Sequence, residues 1–177
     1  MAFKERFDDV LDKTLAVASG ATAPDRVLLM TYEPELEPDF RLALGECLRA
    51  LSVRGIAGAV VDLRLLPYEV LDDKGLLNKA FELQARQPDR FQQDLARRLE
   101  PVVVSRIVQQ ASALGPGLIV LGHTAALFPW VSYSSVMKLL PSGLPSLILV
   151  PFPGTEEGAS LHFMGRRNGF DYMARRV

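Results

Sequence analysis

The chain has 177 residues, 49% of them hydrophobic and 23% charged, with 20 Lys and Arg against 21 Asp and Glu, which fits one globular domain spanning residues 1–177. The apolar runs are too short to cross a bilayer, and the balanced charge offers no concentrated cationic surface for nucleic acid. One cysteine excludes an intrachain disulfide, and Cys47 with two histidines is too small a set for a soft-metal cluster.

The first half of the chain alternates between helical and strand patterns. Apolar residues at helical spacing predict a helix over residues 3–17 and another over residues 40–51. Continuous apolar runs at residues 27–30 and 56–63 predict two strands buried on both faces of a sheet. Two strands joined by a helix form a βαβ unit, so we expect the sheet to be parallel.

The second half continues the alternation after a long helical stretch. Residues 76–99 are helical in pattern, with a break near Pro88. Pro101 predicts the start of a further helix that ends at residue 114, because proline is tolerated at the first helical position. The run of three valines at 102–104 favours a strand there instead, and we prefer the helix.

Two more strands are predicted, at residues 118–121 and 146–150, with a helix over residues 131–140 between them. In the tail, residues 161–164 and 172–176 read as edge strands, or the last as a helical turn. The order predicts a three-layer α/β fold: a Rossmann-like, mostly parallel sheet of about four core strands, helices on both faces and extra edge strands at the end.

Ligands of open parallel sheets bind at the carboxyl ends of the strands, which here carry polar residues. The candidate pocket residues at those ends are Tyr32, Asp62, His123 and Thr124. No glycine-rich phosphate loop follows any strand, which disfavours nucleotide binding of the usual kinds. His123 can serve as a general base or a metal ligand, although a hydrogen bond to a neighbouring loop is the interpretation we favour.

The acidic segment 33–39 has carboxylates at every second position, a pattern that can collect a hard cation. We favour the alternative that these acids precede a helix and offset its dipole. The sequence therefore predicts no catalytic set, no metal site and no cofactor.

Two features suggest partner docking. Phe128 and Trp130 flank Pro129 after the third strand, as either a hydrophobic lid over the sheet end or an exposed anchor for a partner. The tail carries four arginines, and such a cluster can meet an acidic partner; they are Arg166, Arg167, Arg175 and Arg176.

The end of the chain resembles the closing signature of the BrxB family, formerly a domain of unknown function. The resemblance rests on residues 144–154, 160–166 and 171–177, and it continues upstream through Gly122, residues 128–130, the strand at 27–32 and the helix start at Gly75. One departure is the segment Ser132-Tyr133-Ser134, where the family pattern has Arg and His.

The resemblance implies a cytoplasmic accessory subunit of a BREX bacteriophage-exclusion system, with no established enzymatic activity. It implies work beside a phosphatase-like PglZ protein, a large ATPase and a DNA methyltransferase, with the PglZ-like protein as the first partner to test. The charged start of the chain, which lacks a signal-peptide core, also indicates the cytoplasm. The alternative is a small enzyme or nucleotide-binding domain with its site at the carboxyl edge of the sheet. A homodimer formed through residues 128–130 is compatible with the first interpretation.

Overall fold

A computed structural model describes residues 3–21, 26–128, 130–157, 160–163, 166–167 and 175–177; of the last strands it describes chiefly the backbone. The helices are α1 Phe3–Ala18, α2 Glu37–Val53, α3 Leu66–Asp73, α4 Ala80–Arg86, α5 Pro88–Leu114 and α6 Tyr133–Leu139. The strands are β1 Val27–Tyr32, β2 Ala57–Asp62, β3 Gly117–Gly122, β4 Leu147–Glu157, β5 Ser160–Phe163, β6 Arg166–Arg167 and β7 Arg175–Arg176. Among these residues, no helix is both long and apolar enough to cross a bilayer.

The centre of the molecule is a parallel sheet of four strands in the order β2-β3-β4-β1, with the short β7 added beside β1. Val27 of β1 pairs with Ile148 of β4, and Leu118 of β3 pairs with Leu147. β4 extends beyond the parallel sheet, and there it pairs antiparallel with β5. β6 in turn pairs antiparallel with β5.

Alternate residues of each central strand pack on opposite faces of the sheet. Leu28 and Met30 join the core formed with α1 and α2, whereas Leu29 joins the core formed with α3, α5 and α6. The same division holds along β3 and β4, because successive side chains of a strand point to opposite faces. Helices therefore cover both faces, and the predicted three-layer α/β fold with a parallel sheet is confirmed.

The second strand differs from the prediction. The run at residues 56–63 predicts a strand buried on both faces, but β2 is the edge of the sheet, and Ala57, Gly58 and Val60 are exposed. Val61 is buried against the α5 face. A short apolar run indicates a strand without giving its place in the sheet, so the pattern predicted the element correctly and its burial wrongly.

The predicted helix start at Pro101 is also wrong, because α5 continues through that residue. The helix has a buried stripe at four-residue spacing on both sides of the proline, made of Leu95, Leu99, Val103, Ile107 and Ala111. Burial of this stripe against the sheet holds the helix together across the hydrogen bond that Pro101 cannot donate. The predicted break at Pro88 is confirmed, because α4 ends at Arg86 and Pro88 opens α5.

The two edge strands predicted near the end of the sequence correspond to β5 and β7. Residues 161–163 lie in β5, and Arg175 and Arg176 form β7 rather than a helical turn; the remainder of the two predicted segments, 164 and 172–174, lies outside the described residues. Arg6 of α1 secures this closure. Its Nε donates to the Val177 carbonyl oxygen at 2.9 Å, and its Nη1 donates to the Thr31 carbonyl oxygen at 2.6 Å.

Candidate functional site

A cleft of about 450 Å³ opens at the carboxyl ends of the parallel strands. The chain leaving β1 turns toward α2 on one face, whereas the chains leaving β2 and β3 turn toward α3 and α6 on the other. The two sets of loops therefore separate at this edge of the sheet, which is where ligands bind in open α/β folds. The cleft lies in the resulting gap.

One wall of the cleft is apolar. It is formed by Phe40 and Leu44 of α2, by Val60 of the exposed β2 edge and by Val120 of β3. The Phe40 ring stacks on Tyr32 with centroids 4.6 Å apart and planes 7° from parallel. This pair fixes the first turns of α2 against β1 and gives the wall a rigid aromatic corner.

A hydrogen-bonded chain links the end of β1 to the start of α2. The Tyr32 hydroxyl donates to Glu37 Oε2 at 2.5 Å, and Arg41 Nε donates to Glu37 Oε1 at 2.8 Å. Burial, and then the bond to the Glu37 carboxylate, raise the pKa of Tyr32 well above its usual range. Tyr32 therefore stays a neutral phenol, and Arg41 is held at the mouth of the cleft.

An ion pair flanks the cleft at the end of β2. Arg64 donates hydrogen bonds to both carboxylate oxygens of Asp62. Its Nε and Nη2 lie 3.0 Å and 2.6 Å from Oδ2, and its backbone N–H donates to Oδ1 at 3.0 Å. These bonds, the side-chain ones first, lower the pKa of Asp62 to about 2. Asp62 is thus ionised at neutral pH and orients Arg64, which lines the cleft.

His123 lies in the cleft in a left-handed backbone conformation, with φ 58° and ψ 43°. Among the described residues it is the one non-glycine with a positive φ. Its Nδ1 is 3.4 Å from Arg41 Nη2. Because a guanidinium can only donate, this contact is a hydrogen bond in the tautomer whose ring proton is on Nε2.

Two neighbours explain this local geometry. A Cβ at Gly122 would come within 2.7 Å of Val60 Cγ1, so a larger residue directly before His123 would require the Val60 side chain to shift. After it, the buried Thr124 hydroxyl donates to the Pro151 carbonyl oxygen at 2.6 Å, and the Tyr133 hydroxyl donates to the Thr124 carbonyl oxygen at 2.7 Å. The loop that carries His123 is therefore fixed to β4 and α6.

The structure brings three of the four predicted pocket residues, Tyr32, His123 and Thr124, into one cleft. Asp62 is not among the lining residues and acts on the cleft through Arg64. The sequence reasoning missed the two arginines that give the cleft its cationic groups. Arg64 follows Asp62 by two residues at a strand end, and Arg41 lies four residues after Glu37 in the first turns of α2. Both spacings allow an ion pair with the preceding carboxylate, so the sequence could have predicted these arginines at the cleft.

The acidic segment 33–39 is arranged as the dipole interpretation expects. Glu37 and Asp39 lie in the first turn of α2. Within the part of the chain that the structure describes, no three His, Cys, Asp or Glu side chains are grouped so that they could hold a metal ion.

The predicted docking residues lie in two regions, the loop after β3 and the last two strands. Phe128 and Trp130 are partly buried and pack against the core on the α5 and α6 side of the sheet, as a hydrophobic lid would. Pro129 between them lies outside the described residues. The four tail arginines lie in β6 and β7, where the structure describes their backbone.

A second concavity, a groove of about 360 Å³, lies between α3, α4 and α5. Its apolar lining includes Leu71, Leu76, Leu83, Phe91 and Leu95, and its polar lining is Gln87, Arg90, Asp94 and Arg98. On α4, two residues before Leu83, the Phe81 side chain is 78% exposed. We refer to these residues together as the helical groove.

Comparison with known proteins gives one match. The family model described as BREX protein BrxB matches residues 59–177. No curated protein and no solved structure matches the chain.

Proposed function

We propose a function from one premise: the chain belongs to the BrxB family, whose model matches more than half of it, and is therefore a component of a BREX antiphage system. Within that system we assign it the role of a non-catalytic accessory subunit. It acts in the cytoplasm by binding another BREX component, and the PglZ-like protein is the partner. The family match carries this proposal.

The helical groove supports a partner-binding role. All of its lining residues lie within the matched range 59–177. Phe81 is a large aromatic side chain left in water, and burying such a side chain contributes about 1.5–3 kcal/mol. Aromatic and arginine side chains are enriched among the residues that dominate binding energy, and the helices that form the groove carry both types, with Phe81 on α4 and Arg90 and Arg98 on α5.

The groove also has the form that a partner helix or loop requires. Its floor is apolar, with Leu95 buried beneath it. Asp94 at its rim is 4.0 Å from Arg90 Nε and 3.8 Å from Arg97 Nη1. A partner segment with apolar anchors and flanking carboxylates would satisfy both the floor and the arginine rim.

The test is capture of the PglZ-like protein encoded in the same BREX locus by the tagged full chain. We expect wild type to retain it, Phe81→Ser to retain at least tenfold less, and Leu42→Ser to behave as wild type. Leu42 is the matched control, because it is a similarly exposed apolar residue on a different helix, α2.

No association of the wild-type chain with the PglZ-like protein would overturn the proposed partner. Equal capture by wild type and Phe81→Ser would overturn the groove as its surface. The next surfaces to test would then be Trp130, through Trp130→Ala, and the tail arginines Arg166, Arg167, Arg175 and Arg176. Light scattering on wild type and Trp130→Ala tests the proposed homodimer.

A further inference from the structure

The cleft at the carboxyl edge has the dimensions and composition of a small-molecule site. Its volume of about 450 Å³ lies within the range of about 300–1,000 Å³ that is usual for ligand pockets. Such pockets combine an apolar lining with a few convergent polar groups. Here the polar groups come from separate elements: Tyr32 from β1, Arg41 from α2, Arg64 after β2 and His123 after β3.

Both arginines are positioned and accessible at the mouth. The Arg64 and Arg41 side chains are 60% and 56% exposed. Each is oriented by its own carboxylate, yet a guanidinium has five N–H donors. Asp62 engages Nε and Nη2 of Arg64, so the Nη1 group of Arg64 can still donate to a ligand.

His123 adds a third donor in a strained conformation. In the tautomer whose Nδ1 accepts from Arg41, Nε2–H is a donor. A non-glycine residue in a left-handed conformation carries backbone strain, and such strain is concentrated at functional sites. The hydrogen bonds of Thr124 fix the residue that follows His123.

We propose that this cleft binds a small organic monophosphate of mononucleotide size. The flat body packs against Leu44 and the exposed Val60, and the phosphate accepts hydrogen bonds from Arg64, Arg41 and His123. This is independent of partner binding at the helical groove.

The charges at the mouth specify one phosphate rather than a chain of them. Each arginine is paired with one carboxylate, so these four side chains balance in formal charge. The first turn of α2 contains Glu37 and Asp39, which leaves no free helix dipole for further phosphates. The ligand therefore has a single anionic group at one end and an apolar body.

Isothermal titration calorimetry of the full chain with AMP and UMP tests the proposal, with adenosine, ribose 5-phosphate and inorganic phosphate as partial ligands. We expect both mononucleotides to bind at least tenfold more tightly than any partial ligand. At about ten times its dissociation constant, AMP should raise the Tm by about 3–6 °C. ATP should bind no more tightly than AMP.

Two variants place the binding in the cleft. Arg64→Gln and His123→Gly should each weaken AMP binding at least tenfold, and glycine retains the left-handed backbone of residue 123. Arg97→Gln is the matched control, because Arg97 is an exposed arginine that pairs with Asp94 on α5, away from the cleft. If a cleft variant fails to fold, Ala126→Phe, which fills the lining, replaces it.

Absence of binding by wild type to AMP and UMP at millimolar concentration would overturn the proposal. So would equal AMP affinity of wild type, Arg64→Gln and His123→Gly. Capture of the PglZ-like protein is measured separately and depends on Phe81, so failure of one proposal is distinguishable from failure of the other.

Discussion

The cleft and the helical groove are both concave, but they are built in different ways. In the cleft, side chains such as Tyr32 and Thr124 are fixed by hydrogen bonds to neighbouring elements. In the groove, apolar side chains from three helices form a floor, and Phe81 of α4, one of these helices, is exposed. Fixed polar groups select a small ligand, whereas an apolar floor with an exposed anchor suits a protein segment.

The two concavities also differ in their relation to the family match. The lining of the groove lies wholly within residues 59–177. The cleft instead takes part of its lining from β1 and α2, which precede the matched range: Tyr32, Pro34, Glu37, Phe40, Arg41 and Leu44. The groove is therefore the better place to seek a function shared within the family.

The largest expected effect is the loss of stability when a leucine is truncated in the groove floor rather than in the cleft wall. Leu95 lies under the groove and is 2% exposed, so Leu95→Ala should lower the free energy of unfolding by about 2–4 kcal/mol. Leu44 of the cleft wall is only partly buried, and Leu44→Ala should cost about half as much or less. Urea denaturation measures both, and equal losses would contradict the difference in burial between Leu95 and Leu44.

The backbone at His123 gives the next effect. His123→Val should lower the free energy of unfolding by about 1–2 kcal/mol, because a β-branched residue fits the left-handed conformation poorly. His123→Gly should stay within about 1 kcal/mol of wild type. Thermal denaturation distinguishes them, and identical stabilities would show that residue 123 is unstrained.

The hydrogen bond of Thr124 tests how firmly the cleft loop is fixed. Thr124→Val removes the buried hydroxyl that donates to the Pro151 carbonyl oxygen and should cost about 1–2 kcal/mol. Thr124→Ser keeps the hydroxyl and should cost less. Urea denaturation compares the two variants. A valine variant as stable as the serine variant would show that this hydrogen bond does not stabilise the loop.

The smallest expected effect is a pH dependence at the rim of the cleft. The pKa of Asp62 falls from 3.8 to about 2 on folding, so its ionised form stabilises the native state above about pH 4, and this contribution is lost as the pH falls toward 2. The pair with Arg64 is exposed, so the effect should stay below about 1 kcal/mol. Carboxyl NMR titration should return the Asp62 pKa toward its ordinary value in Arg64→Gln, and an unchanged pKa would exclude Arg64 as the cause.

Sequence patterns predicted the fold better than the burial of each element. The continuous apolar runs of β1, β3 and β4 identify central strands, because a strand covered on both faces has no polar face. The run at β2 is equally apolar, yet it forms the sheet edge, since neighbours in a sheet are set by topology and not by the strand itself. At Pro101, packing of the surrounding apolar stripe overrides the local preference of proline.

The candidate site was only partly predictable. Residues that end strands, such as Tyr32 and His123, could be placed at one edge because parallel strands share a direction. The contact between Arg41 and His123 joins residues 82 positions apart and could not be deduced from local spacing. Likewise, no pattern in the sequence distinguishes an exposed Phe81 from the buried aromatics.

The position of β1 between β4 and β7 has a consequence for synthesis of the chain. β1 is made early, but about 120 residues separate Val27 from its partner Ile148, and its other edge pairs with Arg175 and Arg176. At ordinary translation rates this leaves both edges of an apolar strand open for on the order of ten seconds. The nascent chain therefore exposes Leu28–Met30 throughout this interval, and the edge of β1 closes only after Arg175 and Arg176 have left the ribosome.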